Sequence, residues 1–233
     1  MKRSQQMIDK NKIIVALDFD DIKKMHEFIE MLDPKLCRLK IGKEMFTKYG
    51  PNCVHQIHNK GFEIFLDLKF HDIPTTVYKA CLSAFSLNIW MLNIHLSGGI
   101  EMASSAVRAK NDSQTKTKLI GVTVLTSLSD DDCKAIYGSS RKHEIDRLKD
   151  IGLNTNIDGF VCSPDDIKTI SNDQKLFVTP GIRLDKSTDD HHKVWTPIEA
   201  MNLGASYLVI GRSITSSKDP NKTLVEILRS LQE

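Results

Sequence analysis

Long apolar runs are missing from this chain. No stretch of its 233 residues approaches the ~18 consecutive apolar positions of a membrane-spanning helix, so no membrane association is expected. Paired cysteines are missing too. Cys37, Cys53, Cys81, Cys133 and Cys162 are odd in number and include no C-x-x-C. That argues against a disulfide framework and for buried free thiols in a reducing compartment. Charge of one sign does not accumulate: 32 Lys+Arg face 30 Asp+Glu, and no five like charges run together. A nucleic-acid partner is therefore not expected. The opening MKRSQQMIDKNK has no apolar stretch of the kind a secretory leader carries. Residues 1–11 read as a polar extension, and the cytoplasm as the location. His55 and His58 lie three apart without a third ligand, so a surface helix explains them better than a metal does.

What is present is an alternation. Short apolar runs occur at Ile13–Leu17, Cys37–Ile41, Glu63–Leu68, Trp90–Leu96, Leu119–Leu125, Asp158–Cys162, Leu176–Pro180 and Tyr207–Gly211. Between them lie segments with helical spacing, such as Ile22, Met25, Phe28, Ile29 and Leu32. Eight strands alternating with helices in a chain of this length predict a (β/α)8 TIM barrel, a single domain spanning 1–233. A doubly wound open sheet is the rival, but its Gly-rich first turn is absent: the first turn here reads LDFDD. Two connections are long. Ser129–Thr155 has room for an extra helix before the main one, and the polar Ile182–Lys193 is placed as a lid would be.

The run FLDLKFHDIPTT, Phe65–Thr76, ends a buried strand in Asp67, Lys69 and Asp72. Buried charge is costly unless paired, so stability alone does not explain this ending. Residues two apart on a strand share a face, which puts Asp67 and Lys69 together at a strand's C-terminal end, where barrels keep their chemistry. Other strand ends supply Asp18, Lys40, His95, Thr126, Arg183, Gly211 and Arg212. Several have plainer explanations. Asp18 and Asp72 could cap the following helices, Thr126 could be a turn residue, and His95 a hydrogen-bonded core histidine. Lys40, inside the apolar CRLKIG, must snorkel or find a carboxylate. Gly211 and Arg212 follow the eighth run, and Arg183 the seventh. That is the usual phosphate site of such a barrel, so a phosphorylated substrate is expected.

Taken together, IIVALDF, LKIGKEMF, FLDLKFHDIPTTV, GVTVLTS, VTPGIR and VIGRSIT closely resemble the orotidine 5′-phosphate decarboxylases in their bacterial stand-alone form, in the family's order from Ile13 to Thr215. The resemblance implies decarboxylation of orotidine 5′-monophosphate to UMP, the last step of pyrimidine (UMP) biosynthesis, with no metal and no cofactor. It implies a charge network of Lys40, Asp67, Lys69 and Asp72, with Lys69 as proton donor to pyrimidine C6 and Asp67 beside the departing carboxylate. Asp18 and Lys40 would contact the ribose and Thr126 the pyrimidine. Arg183, Gly211 and Arg212 would hold the phosphate. Asp72, Ile73 and Thr76 would reach the partner's site in a homodimer. Where the family has a phosphate-contacting glutamine, His191 stands here, and the family's H-A-A-G-G reads His95-Leu96-Ser97-Gly98-Gly99.

The chemistry suits the residues. Loss of CO₂ from C6 leaves a carbanion in the ring plane, and no motif for an electron-sink cofactor is visible. Preorganised electrostatics must then do the work, with Lys69 kept charged by its carboxylates. The nearest rival is a 3-keto-L-gulonate 6-phosphate decarboxylase, which shares D-x-K-x-x-D but uses Mg²⁺ and tends to carry an acidic residue where Lys40 stands. A non-catalytic phosphate-binding barrel is the alternative of another class; retention of all four charges argues against it.

Overall fold

The computed structural model describes residues 12–170, 174–184 and 194–232. Eight parallel strands close into a barrel in sequence order, the last pairing with the first. They are β1 (Ile13–Leu17), β2 (Arg38–Ile41), β3 (Ile64–Phe70), β4 (Met91–His95), β5 (Lys118–Val122), β6 (Gly159–Val161), β7 (Leu176–Ile182) and β8 (Tyr207–Ile210). Each falls on an expected run, although β5 begins one residue early and β3 and β7 end beyond theirs, at Phe70 and Ile182. Parallel strands need long crossovers, and here these are helical. In order the helices are α1 (Ile22–Glu30), α2 (Lys43–Tyr49), α3 (Pro51–His58), α4 (Pro74–Phe85), α5 (Gly99–Asp112), α6 (Asp130–Tyr137), α7 (Arg141–Asn154), α8 (Pro164–Ile170), α9 (Pro197–Asn202) and, after the last strand, α10 (Arg212–Thr215) and α11 (Pro220–Ser230).

Strand alternation divides the core in two. Ile14, Ala16, Phe65, Met91, Ile120, Val122, Val161, Val178 and Val209 fill the barrel. The outward strand residues, Leu39, Ile41, Ile64, Leu66 and their like, pack under the helices. In α1, Met25, Phe28 and Ile29 make the buried stripe, each contributing ~1.5–3 kcal/mol of apolar burial.

The extra helix expected in Ser129–Thr155 is present as α6. Ser129 and Asp132 form a capping box at its start, Gly138 ends it at φ 71°, and Ser140 caps α7. A second extra helix follows β2, where Pro51 begins α3 directly after Gly50 at φ 60°. The five cysteines are all buried and free. Burial raises each thiol, Cys37 and Cys81 to about 12.

The N-terminal end of the barrel is plugged by Arg38, whose guanidinium lies 4.0 Å from the Trp90 ring centroid and 2.9 Å from Glu63. A cavity of about 420 Å³ lined by Phe62, Glu63, Trp90 and Thr117 opens at that end. The charged strand ends lie at the other.

Candidate functional site

At the C-terminal mouth four charges stand in a row. Lys40 Nζ is 3.4 Å from Asp18 Oδ1 and 3.4 Å from Asp67 Oδ2. The other Asp67 oxygen, Oδ1, is 2.5 Å from Lys69 Nζ. Lys40 is 8% exposed, so its ammonium is drawn from the barrel wall toward two carboxylates, as its place in an apolar strand requires. Gly42 lies alongside: a Cβ there would stand in van der Waals contact, 3.4 Å from Lys40 Nζ. Burial alone would raise the Asp67 carboxyl. The charges of Lys40 and Lys69, with hydrogen bonds from Lys69 and Asn93, outweigh burial and hold it below the ordinary 3.8.

The strand that carries Asp67 and Lys69 is not regular. Between Leu66 and Phe70 the ladder to β4 slips: four residue steps on β3 face only the two from Leu92 to Ile94. Lys69 sits in this bulge at φ 51°, a left-handed conformation that costs a residue with a Cβ ~1–2 kcal/mol. Strand alternation thus predicts the Asp67–Lys69 contact, but the bulge and not a shared strand face makes it. Asn93, fully buried in β4, faces the bulge. Its Oδ1 accepts from the Lys69 backbone N–H at 2.8 Å, and its Nδ2 donates to Asp67 Oδ1 at 2.6 Å. Asn93 went unread in the sequence. The signal was there, a lone amide in the apolar run WMLNIHL.

Beside the row lies a cavity of about 320 Å³ lined by Asp18, Lys40, Asp67, Arg183, Gly211 and Arg212, among others. A second slipped ladder shapes it. Between Thr179 and Ile182, Gly181 turns the end of β7 at φ 80°, where glycine fits and a Cβ would strain. Arg183 follows at the cavity wall, its N–H donating to Trp195 O at 3.0 Å. A Cβ on Gly211 would meet only Ala16 and Asp18, at 3.7 and 3.9 Å, and would stand in the cavity mouth.

The remaining predicted residues are set apart from this row. Asp72, Ile73 and Thr76 are exposed at the start of α4, with Ile73 66% exposed. Asp72 forms no ion pair among the described residues; its Oδ1 accepts from Ile73 N–H at 2.6 Å. It does not cap α4, whose N-cap is Ile73, and Asp18 does not cap α1, whose N-cap is Asp21. Thr126 is exposed in the turn after β5. His95 ends β4 beside His71, ring centroids 5.4 Å apart. Burial first, then the charges of His71, Lys43 and Lys69, lower it to about 4. His191 and most of the 182–193 loop lie outside the described residues, as do residues 1–11. Among the described residues no group of three His, Cys, Asp or Glu side chains stands ready for a metal ion, and no helix is long and apolar enough to cross a membrane.

The arrangement offers a fixed ammonium wedged against a carboxylate next to an arginine-lined cavity. Comparison with known proteins gives a consistent result. The family model for "Orotidine 5'-phosphate decarboxylase / HUMPS family" matches residues 11–227. The orotidine 5′-phosphate decarboxylase of Saccharophagus degradans is 44% identical over 93% of this chain and 93% of its own length. That of Shewanella sediminis is 46% identical over 94% of this chain and 96% of its own. The crystal structure of the Lactobacillus acidophilus orotidine 5′-phosphate decarboxylase superposes with a TM-score of 0.85 at 31% identity, covering 96% of this chain and all of that one.

Proposed function

The chain belongs to the orotidine 5′-phosphate decarboxylase / HUMPS family, and on that footing we propose that it is a carboxy-lyase converting orotidine 5′-monophosphate to UMP and CO₂ in pyrimidine biosynthesis. The observation that carries the reading is the row Asp18–Lys40–Asp67–Lys69, joined at 3.4, 3.4 and 2.5 Å and opening on the cavity of Arg183 and Arg212.

In this reading the phosphate sits between Arg183 and Arg212, with Gly211 leaving it space. Asp18 and Lys40 take the ribose hydroxyls, and Thr126 faces the pyrimidine. The C6 carboxylate then points at Asp67 and Lys69. When the C6–CO₂⁻ bond breaks, CO₂ departs and the electron pair stays on C6. The Lys69 ammonium stabilises that charge and then gives C6 its proton, leaving a neutral amine that water reprotonates. Asp67, whose pKa is held down, stays ionised throughout and fixes the ammonium in place. Neither a metal nor a cofactor is required. The ammonium is in position before substrate arrives, so little reorganisation accompanies the reaction.

Asp72, Ile73 and Thr76 complete the site of a partner subunit, and the active unit is a homodimer in the cytoplasm. The exposure of Ile73, and an Asp72 carboxylate that pairs with no cation among the described residues, support the dimer. His191 keeps the phosphate-contacting role that the resemblance gives it.

The test is the absorbance change on adding orotidine 5′-monophosphate to purified protein in EDTA. Conversion to UMP is expected. Turnover of 3-keto-L-gulonate 6-phosphate with Mg²⁺, and none of the nucleotide, would overturn the proposal in favour of the sugar-phosphate branch.

A further inference from the structure

The proposed mechanism gives no part to Asn93, a buried polar side chain in contact with the charge row. Asn93 is 0% exposed and is not among the residues that line the cavity, yet it touches Asp67 and Lys69, the last two residues of the charge row. We propose that Asn93 is a positioning residue that sets the Lys69 ammonium and the Asp67 carboxylate against each other for proton delivery to C6. The inference rests on the decarboxylase reading above.

A single amide makes both contacts. Its oxygen accepts from the Lys69 backbone N–H at 2.8 Å, and its nitrogen donates to Asp67 Oδ1 at 2.6 Å. That same Oδ1 accepts from Lys69 Nζ at 2.5 Å. The amide thus closes a ring: backbone of Lys69, Asn93, Asp67, and back to the Lys69 side chain. Its orientation is fixed, because a flip would set NH₂ against N–H and oxygen against carboxylate. The ring encloses the left-handed turn at Lys69, φ 51°, inside the bulge. A lysine does not hold that conformation unaided, and strained backbone persists only where its surroundings over-determine it. Here the over-determining contact is Asn93. Without it the N–H loses its acceptor, the turn can relax, and the Lys69 Cα carries the ammonium away from C6. A displacement near 1 Å is enough to slow an oriented reaction about 100-fold.

Other side chains fail in distinct ways. Alanine and leucine provide neither contact. Aspartate keeps the acceptor but sets a second carboxylate against Asp67. The groups facing this position are Asp67 and Lys69 from β3, with Lys40 beyond Asp67, and His95 along β4; from β5 only apolar side chains face it. Against Asp67 a new carboxyl holds its proton to higher pH than usual. Once protonated it presents one acceptor and one donor, as the amide does.

The experiment measures kcat and KM for orotidine 5′-monophosphate, UMP affinity and thermal melting for Asn93→Ala, Asn93→Leu and Asn93→Asp. For the first two, kcat is expected to fall about 100-fold, with KM and UMP affinity within about threefold of the parent. For Asn93→Asp, the kcat ratio to the parent is expected to climb as pH is lowered, a response that lost packing would not give. A folded Asn93→Ala within about fivefold of the parent kcat overturns the proposal. So does an Asn93→Asp ratio flat with pH, or failure of all three variants to fold, which would assign Asn93 to the fold alone. Failure of the unmodified protein to turn over the nucleotide would instead sink the decarboxylase reading, so the two failures are distinct.

Discussion

Lys69 and Asp67 meet at 2.5 Å across a bulge, not along a regular strand. The two extra residue steps that β3 inserts opposite β4 give Lys69 its left-handed backbone and aim its ammonium back at the carboxylate two residues earlier. The contact is therefore local in sequence but depends on a neighbouring strand for its shape.

The charge row should make stability pH-dependent on the acid side. The native Asp67 carboxyl is held below 3.8. Its contribution is complete above that value and is lost as pH falls through the lower native one. Asp67→Asn leaves Lys40 and Lys69 without their shared anion. Urea unfolding near neutral pH should show a loss of about 2 kcal/mol, below the full cost of a dry broken pair because Lys69 is 25% exposed. The gap to the parent protein should close below pH 3.8. A constant gap at all pH values would count against the assignment.

His95 should act over a higher window. Its native pKa is lowered from 6.5 to about 4, by burial first and then by the positive charges of His71, Lys43 and Lys69. The unfolded chain takes up a proton as pH falls through 6.5, and the native one resists until about 4. Stability should decline between those values and level off below them. His95→Gln should flatten that part of the curve, and an imidazole resonance titrating near 6.5 in the native state would contradict it.

Arg212→Ala should lower kcat/KM by about 100-fold or more, although Arg212 touches no reacting atom, because remote phosphate binding supports the chemical step. Steady-state kinetics would show it. A loss of less than about tenfold would remove Arg212 from the phosphate site.

Mixing inactive Lys69→Ala and Asp72→Ala subunits should restore part of the activity, since one of the two sites in a mixed dimer then has both residues. Mixed dimers that form and stay inactive would place Asp72 in its own subunit's site.

Much of this was legible in the sequence. Parallel strands covered on both faces are short apolar runs, so eight were countable, and charges ending such runs had to converge at one mouth. Asp18, Lys40, Asp67, Lys69, Arg183, Gly211 and Arg212 do converge there. What sequence spacing could not supply was irregularity. The slip in β3 depends on Asn93, 24 residues beyond Lys69, and alternation within one strand carries no trace of it. The capping expectations failed for a related reason. Asp72 and Asp18 precede helices, but α4 begins at Pro74 and α1 at Ile22, so Ile73 and Asp21 fall at the caps instead.

The buried cysteines give the molecule built-in reporters. One precedes β2, one follows β6, and the others lie in α3, α4 and α6, all raised in pKa by burial. Since thiolates are the species that alkylate, the native chain should ignore iodoacetamide. Each thiol becomes reactive only when its own part of the wall opens. The order in which the five are labelled would chart which staves of the barrel loosen first and which give way only when the whole barrel does.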